Sequence, residues 1–469
     1  MTLRSIIEAY LEKPGRYYFY NVATGESAYG TLGDYEAFCD GEKYDDGQGN
    51  WHCYESRSPS FMKWLRSRFL SRRHVPIEDD LLKAGPFNAF LRRKGWFSDW
   101  VDYYFEENAF FLARHALENE LEEEEASPST YRDIQKLMKE YDNENFQDCF
   151  SDSLYFTLVK DRVYATFFVL GASHDTYGLC LYLSEWPYQE VSSFLRCPDY
   201  HDRRNDIGML TTFLGLYAER GEGEKPSKDY PNPYGGDRRV SSMLIHRGKR
   251  SINRLSKTLG CAVKQTLREI IDALKWLRDN PDRPEEDEDA NVVIRGRGKG
   301  YSMVILPRDE DELYRDEFFI DRLLANIDSP RYETGAKTRA EYAFTFRFFP
   351  GGNFDYEDDP RNGFCAFAGF LMDLSTGKLL PPILVSMEHG ETFGQALYSA
   401  AKQLKGIKTP KTIVVNNELD EHIADFFFVP WFVKGTEIEF LDEDLPTDDA
   451  FDELARCVEE GTFDDLPQA

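Results

Sequence analysis

FCAFAGFLMDLSTGKLLPPILVSM (364–387), ETFGQALYSAAKQLKG (391–406) and KTIVVNNELDEHIADFF (411–427) decide the fold of the C-terminal third. The first stretch is two apolar runs broken by LSTGK, which predicts a β-hairpin. The second has the length and apolar spacing of a helix, and the third reads as a strand that runs into another helix. Asp373 enters the turn, Ser375 and Thr376 can bond its backbone, and Gly377 supplies a positive φ. Asn416 and Asn417 stand where a helix beginning at Glu418 needs a cap.

Working outward, AEYAFTFRFF (340–349) is a strand, PGGNFDYEDDPRNG (350–363) a loop, EIEFL (437–441) a strand and DAFDELARCVEE (449–460) a closing helix. Upstream, SLYFTLVKDRVYATFFVLGASHDTYGLCLYLS (153–184) predicts a three-stranded meander with turns at 160–162 and 171–175. NVVIRGRGKGYSMVILP (291–307) predicts a hairpin with RGRGKG at its tip; it lacks the spacing of a phosphate-binding loop. Between them a long helix is expected from Ser251, with Ile252, Leu255, Leu259, Val263, Leu267, Ile270, Ile271, Leu274 and Leu277 on one face. The cations Arg247, Lys249, Arg250, Arg254, Lys257 and Lys264 gather at its start, where they oppose the helix dipole and so mark a candidate surface for an acidic partner.

At the N-terminus, Leu3, Ile6, Ile7, Tyr10 and Leu11 predict a short amphipathic helix, and RYYFYNV and ESAYG a hairpin around Ala23–Gly25. From Ser60 the pattern is helical, with Phe61, Trp64, Leu65 and Phe69 on one face. Around them stand Lys63, Arg66, Arg68, Arg72 and Arg73, followed by Arg92 and Arg93; arginines interleaved with aromatics are a candidate phosphate- and base-binding surface. The competing reading is an amphipathic helix pair with its aromatics in the core. The acid run LENELEEEEASPSTY (117–131) reads as a frayed helix end passing into a solvated linker.

The whole is an α+β, multi-domain chain: 1–125, a hairpin with helices; 126–330, a meander with a long helix; 331–469, an α/β unit. The net charge of -28 opposes non-specific binding to nucleic acid, leaving local basic patches as the route to a nucleic-acid or protein partner. The eight cysteines are scattered without a CxxC pair, so neither a disulfide framework nor a tetrathiolate zinc site is expected. Cys197, His201, Asp202 and Asp206 form half of a metal site without a second half, and no metal is assigned. No GxSxG elbow is present; His389, between Glu388 and Glu391, is the one candidate general base. The chain is expected to be cytoplasmic, with no membrane partner.

Three resemblances follow from these residues. The run AGPFNAFLRRKGWFSDWVDYYFEENAFFLARHALEN (84–119), with the tyrosine-rich hairpin before it, resembles a bacterial family of no established function. The meander, through Gly171, Gly178 and Tyr182, is similar to a bacterial domain of unknown function. The C-terminal third, through Asp373, Gly377, Ala396, Pro410, Ile413, Val415, Leu445, Pro446 and Ala450, resembles another that accompanies it. None implies an activity.

The order of C-terminal elements is also similar to ribonuclease-H-like and integrase cores. That resemblance implies carboxylates holding two Mg²⁺ ions, with Asp373 matching the first acid. At the second acid position stands Asn416, with Glu418 or Asp420 as the nearest substitutes. The expectation is therefore a non-catalytic binding or scaffold protein of the bacterial cytosol, without a cofactor. The alternative is a Mg²⁺-dependent nuclease or phosphodiesterase with an incomplete acidic site built on Asp373, Glu418 and Asp420.

Overall fold

The computed structural model describes residues 2–13, 17–44, 50–54, 58–121, 123–150, 154–160, 163–171, 177–183, 208–218, 228–235, 240–283, 290–298, 300–307, 324, 327, 329–388, 391–441 and 443–460. The stretches 197–206 and 308–317, and His389, lie outside them.

Leu3, Ile6, Ile7, Tyr10 and Leu11 are all buried along one face of α1 (Leu3–Glu12), as their spacing predicts. The helix packs on a sheet ordered β2-β1-β3, formed by β1 (Tyr17–Asn21), β2 (Ser27–Gly30) and β3 (Trp51–Tyr54). The third strand and the short helix α2 (Leu32–Cys39) fall in segments the sequence reading left without structure. Four helices complete this unit: α3 (Pro59–Arg72), α4 (Ala84–Lys94), α5 (Phe97–Glu107) and α6 (Ala109–Glu118). Their aromatics, Phe69, Phe87, Trp100 and Tyr104, form its core. The aromatics of the Arg-rich stretch are thus divided: Phe69 is buried, Trp64 is 40% exposed.

The central unit is an antiparallel meander longer than expected. Helix α7 (Pro128–Asn143) leads into β4 (Tyr155–Lys160), β5 (Val163–Leu170) and β6 (Gly178–Tyr182); β7 (Thr212–Ala218), β8 (Val240–His246) and β9 (Lys249–Ile252) extend the ladder. The long helix α8 spans Lys257–Arg278, not from Ser251. Arg247 and Asn253 adopt positive φ (47° and 51°), which turns the chain on either side of β9, and Ser256 then caps the helix by accepting the Leu259 N–H. Arg247, Lys249 and Arg250 consequently sit on a hairpin and not at a helix N-terminus. Along α8, Leu259, Val263, Leu267, Ile270, Ile271, Leu274 and Leu277 are all buried against α6, α7 and the meander, each contributing about 1.5–3 kcal/mol. The hairpin β10 (Ala290–Arg297) and β11 (Gly300–Pro307) then returns β10 parallel to β4.

The C-terminal unit begins with β12 (Glu341–Tyr356) and β13 (Asp359–Asp373), far longer than the strands expected, because residues 350–363 continue the hairpin past an irregularity between Phe348 and Asn353. That arm reaches the central unit: Asn362, Gly363 and Phe364 pair with Ser251, Arg250 and Lys249 of β9. The short strands β14 (Lys378–Leu379) and β15 (Ile383–Ser386) pair with β13 on the same edge. After α9 (Phe393–Ala401), β16 (Thr412–Val415) lies parallel to β12; α10 (Glu418–Phe427) and α11 (Val429–Phe432) lead to β17 (Glu437–Phe440), parallel to β16, and α12 (Pro446–Glu460) ends the chain. Among the described residues the result is one fourteen-stranded sheet, β11-β10-β4-β5-β6-β7-β8-β9-β13-β12-β16-β17 with β14 and β15 on β13. Both apolar cores lie along it, one under α7 and α8, the other under α9 and α10. Among the described residues no helix is long and apolar enough to cross a membrane.

The acid run does not behave as a solvated linker. Glu120 pairs with Lys249 at 2.6 Å, Glu124 with Lys257 at 3.8 Å and Glu125 with Arg361 at 3.2 Å. Glu123 accepts the Ser256 hydroxyl at 2.5 Å and that of Thr258, and burial raises its pKa. The acids meet cations of β9, α8 and β13, so the run ties the three units together where they converge.

Candidate functional site

Strand β12 alternates strictly: Tyr342, Phe344 and Phe346 enter the core beneath α9 and α10, whereas Ala343, Thr345 and Arg347 face α12. Arg347 is 8% exposed. Its guanidinium stacks 4.3 Å from the Phe451 ring centroid and lies 3.9 Å from an Asp448 carboxylate oxygen, Oδ1. Beside it Thr345 and Thr447 join hydroxyls at 2.7 Å. Asp448, in the first turn of α12, accepts the Leu445 N–H at 3.1 Å and the Asn416 side-chain amide at 3.0 Å through Oδ2.

Asn416 follows the last residue of β16, beside β12, and its amide also faces the Glu443 carbonyl at 3.4 Å. Its own side-chain oxygen accepts from Asn417 at 2.9 Å. Asn417 caps α10 as expected, accepting the Asp420 N–H at 2.9 Å and donating to the Asp420 carboxylate at 2.7 Å. Asp420, fully buried, takes the Phe346 N–H at 2.9 Å. The reason lies in the ladder: β16 pairs with β12 only through Ala343, so Phe346 needs an acceptor from elsewhere. Hydrogen bonds link Asp448, Asn416, Asn417, Asp420 and the Phe346 N–H in turn, with Arg347 beside Asp448 as an ion pair.

Asp373 lies elsewhere. It ends β13, the second strand of the hairpin, opposite Tyr342 at the opening of β12. It accepts the Ser375 hydroxyl at 2.6 Å and the N–H groups of Ser375 and Thr376 at 2.9 and 3.2 Å, bonds that hold its pKa below the usual carboxylate range. Gly377 has the expected positive φ of 66°. Tyr342 and Phe346 are four residues apart on β12, roughly 13 Å along the strand. Asp373 and Asp420 are therefore not brought together on the scale of about 3.5–4 Å that separates the ions of a two-metal site. The Glu418 side chain lies outside the described ones. Among the described residues no three His, Cys, Asp or Glu side chains converge as metal ligands would.

The basic residues marked in the sequence are mostly engaged within the chain. Buried Arg66 donates to the Leu82 carbonyl at 2.9 Å. Arg72 reaches Glu106 and Glu107 at 3.4 and 3.0 Å, Arg73 pairs with Asp99 while stacking on Trp96, and Arg92 reaches Glu12 at 3.4 Å. Arg93 is exposed on α4. Arg247 occupies the β8–β9 turn, Lys249 is held by Glu120, and Arg250 pairs with Asp355 of the hairpin arm.

Arg347 and Asp448 escaped the sequence reading. The available signal was an arginine on the small-residue face of AEYAFTFRFF, where period-two alternation puts it against the closing helix and not in solvent.

No family model, curated protein or solved structure matches this chain.

Proposed function

We propose that this chain is a non-catalytic binding or scaffold protein of the bacterial cytosol, and that its C-terminal unit is a ribonuclease-H-like layout with its acidic centre replaced by a sealed ionic network. The observation that carries this reading is Arg347. A guanidinium held between Asp448 and Phe451 puts a fixed positive charge beside the parallel strands β12 and β16, where a two-metal enzyme concentrates carboxylates. Mg²⁺ needs oxygen ligands and is repelled by such a cation. Asn416 adds no charge, and Asp420 is already committed to the Phe346 N–H and to Asn417.

The layout itself is supported by strand order. In β15-β13-β12-β16-β17 the first three strands are antiparallel, and β16 and β17 run parallel to β12 after intervening helices.

Incubation of the full chain with single-stranded RNA and with single- and double-stranded DNA, in millimolar Mg²⁺ or Mn²⁺, tests the proposal. The expected result is intact nucleic acid. Cleavage that disappears in Asp373→Asn or Asp420→Asn would establish the metal-dependent nuclease instead.

A further inference from the structure

At the carboxyl ends of the other parallel pair, β4 and β10, a cavity of about 560 Å³ opens between α3 and α8, lined by Phe61, Trp64, Arg68, Lys160, Arg268 and Glu269 among others. We propose that this cavity binds a mononucleotide-class ligand, a planar aromatic ring carrying a phosphate. It is separate from the C-terminal network, so its test stands or falls independently of the function proposed above.

The aromatic half of the argument is the edge of α3. Met62, Leu65 and Phe69 take the buried face of this helix, which leaves Phe61 and Trp64 beside the cavity, their centroids 5.5 Å apart and their planes tilted by 34°. Trp64, 40% exposed in a chain that buries Trp100 and Trp431 almost completely, is a platform for a flat ring. Stacking of a base on such a ring contributes about 1–3 kcal/mol without demanding a particular sequence.

The ionic half is the lining charge. Arg68 lies over the Trp64 ring at 5.2 Å, and among the described residues no carboxylate pairs with it, unlike Arg72, Arg73 and Arg92 of the same unit. Lys160 is fixed by Glu269 at 2.5 Å and by the Tyr301 hydroxyl at 2.8 Å; Arg268 is fixed by Glu140 at 2.8 Å. Gly296, across the ladder from Lys160, makes room for the lysine stem, since a Cβ there would collide with it. Lys160 is matched by Glu269 and Arg268 by Glu140, so the lining keeps one net positive charge, on Arg68, in a chain whose net charge is -28. That local reversal attracts a small anion, whereas the surrounding field repels a long polyanion. The volume falls in the ordinary range for small-molecule sites, and the carboxyl end of parallel strands is where open sheets place ligands.

Isothermal titration of the full chain with AMP, GMP, CMP and UMP at low salt provides the test. Adenosine and guanosine supply the ring without phosphate, inorganic phosphate the anion without ring, and a single-stranded oligonucleotide the polymer. At least one mononucleotide is expected to bind one site per chain at least tenfold more tightly than the nucleosides or phosphate. Arg68→Glu and Trp64→Ala, both at exposed positions, should each weaken it at least tenfold, while Lys408→Glu, at an exposed position of the C-terminal unit, should leave it unchanged. Absence of mononucleotide binding at millimolar concentration, binding indifferent to both cavity variants, or binding of the oligonucleotide alone would overturn the proposal.

Discussion

The two halves of the long sheet solve the same problem in opposite ways. In each, a strand of an antiparallel hairpin is joined on its other edge by a parallel strand, β10 on β4 in one half and β16 on β12 in the other. In each, a cation stands on the first of these strands and is met by a helical acid: Lys160 by Glu269 of α8, Arg347 by Asp448 of α12. Beyond that they diverge. Arg347 is roofed by Phe451 and flanked by Thr447, whereas Lys160 looks into a cavity whose far wall is α3. A shared strand layout thus leaves the chemistry open; the element that covers the carboxyl ends decides whether a ligand can enter.

The contrast breaks most readily at the two cations. Arg347→Met strands the mostly buried Asp448 carboxylate, and a loss of about 3 kcal/mol is expected in urea unfolding, as for breaking a buried pair from one side. Lys160→Met, whose partner Glu269 borders the cavity, should cost less than half as much. Equal losses would mean that the two sites are sealed alike. Next in size, Asp420→Ala removes the acceptor of the buried Phe346 N–H and should cost about 2 kcal/mol, with Asp420→Asn recovering part of it. A negligible change in Asp420→Ala would break the claim that this acid is committed to the fold.

A pH scan separates the ionic halves from the histidines elsewhere. Burial holds the imidazole of His115 down to about 3, and that of His246 well below its ordinary value. Asn119 donates to His115 Nδ1 at 3.2 Å, which puts the ring proton on Nε2, 2.9 Å from the Tyr20 hydroxyl. A folded-state pKa below the unfolded one means that the unfolded chain takes up the proton first. The stabilisation is therefore complete above about pH 6.5 and is lost progressively as pH falls towards 3. Thermal midpoints should fall across that window, and less steeply in His115→Gln; an unchanged slope would remove His115 from the account. The smallest effect belongs to Asp373→Asn, which keeps an acceptor for the Ser375 and Thr376 N–H groups and should alter unfolding free energy by less than about 0.5 kcal/mol.

Much of the fold was legible where local chemistry and tertiary structure agree. The LSTGK turn, the Asn417 cap, the β4–β6 meander, the β10–β11 hairpin and the buried stripe of α8 all follow from periodicity and turn residues. What stayed illegible depends on partners distant in sequence. LENELEEEEASPS has the composition of a solvated linker, and only the arrival of Lys249, Lys257 and Arg361 turns its acids into ties. PGGNFDYEDDPRNG has the composition of a loop, yet its arm is held in the ladder by the β9 strand. The candidate site was legible at Asn416, where a missing acid was noticed, but not at Arg347, whose significance appears only when α12 folds over it. Likewise Arg66 and Arg72 look like Arg68 in sequence; Arg66 is taken by the Leu82 carbonyl and Arg72 by Glu106 and Glu107 of α5, whereas among the described residues no carboxylate meets Arg68.

The central claim is that the carboxyl end of β16, beside Arg347 of β12, is closed by a fixed cation and holds no metal centre. Electron paramagnetic resonance of Mn²⁺ titrated into the full chain tests it most directly. The account predicts that wild type, Asp373→Asn and Asp420→Asn take up Mn²⁺ indistinguishably, as an acidic surface does. One or two tightly bound ions per chain, lost in Asp420→Asn or Asp373→Asn, would contradict it.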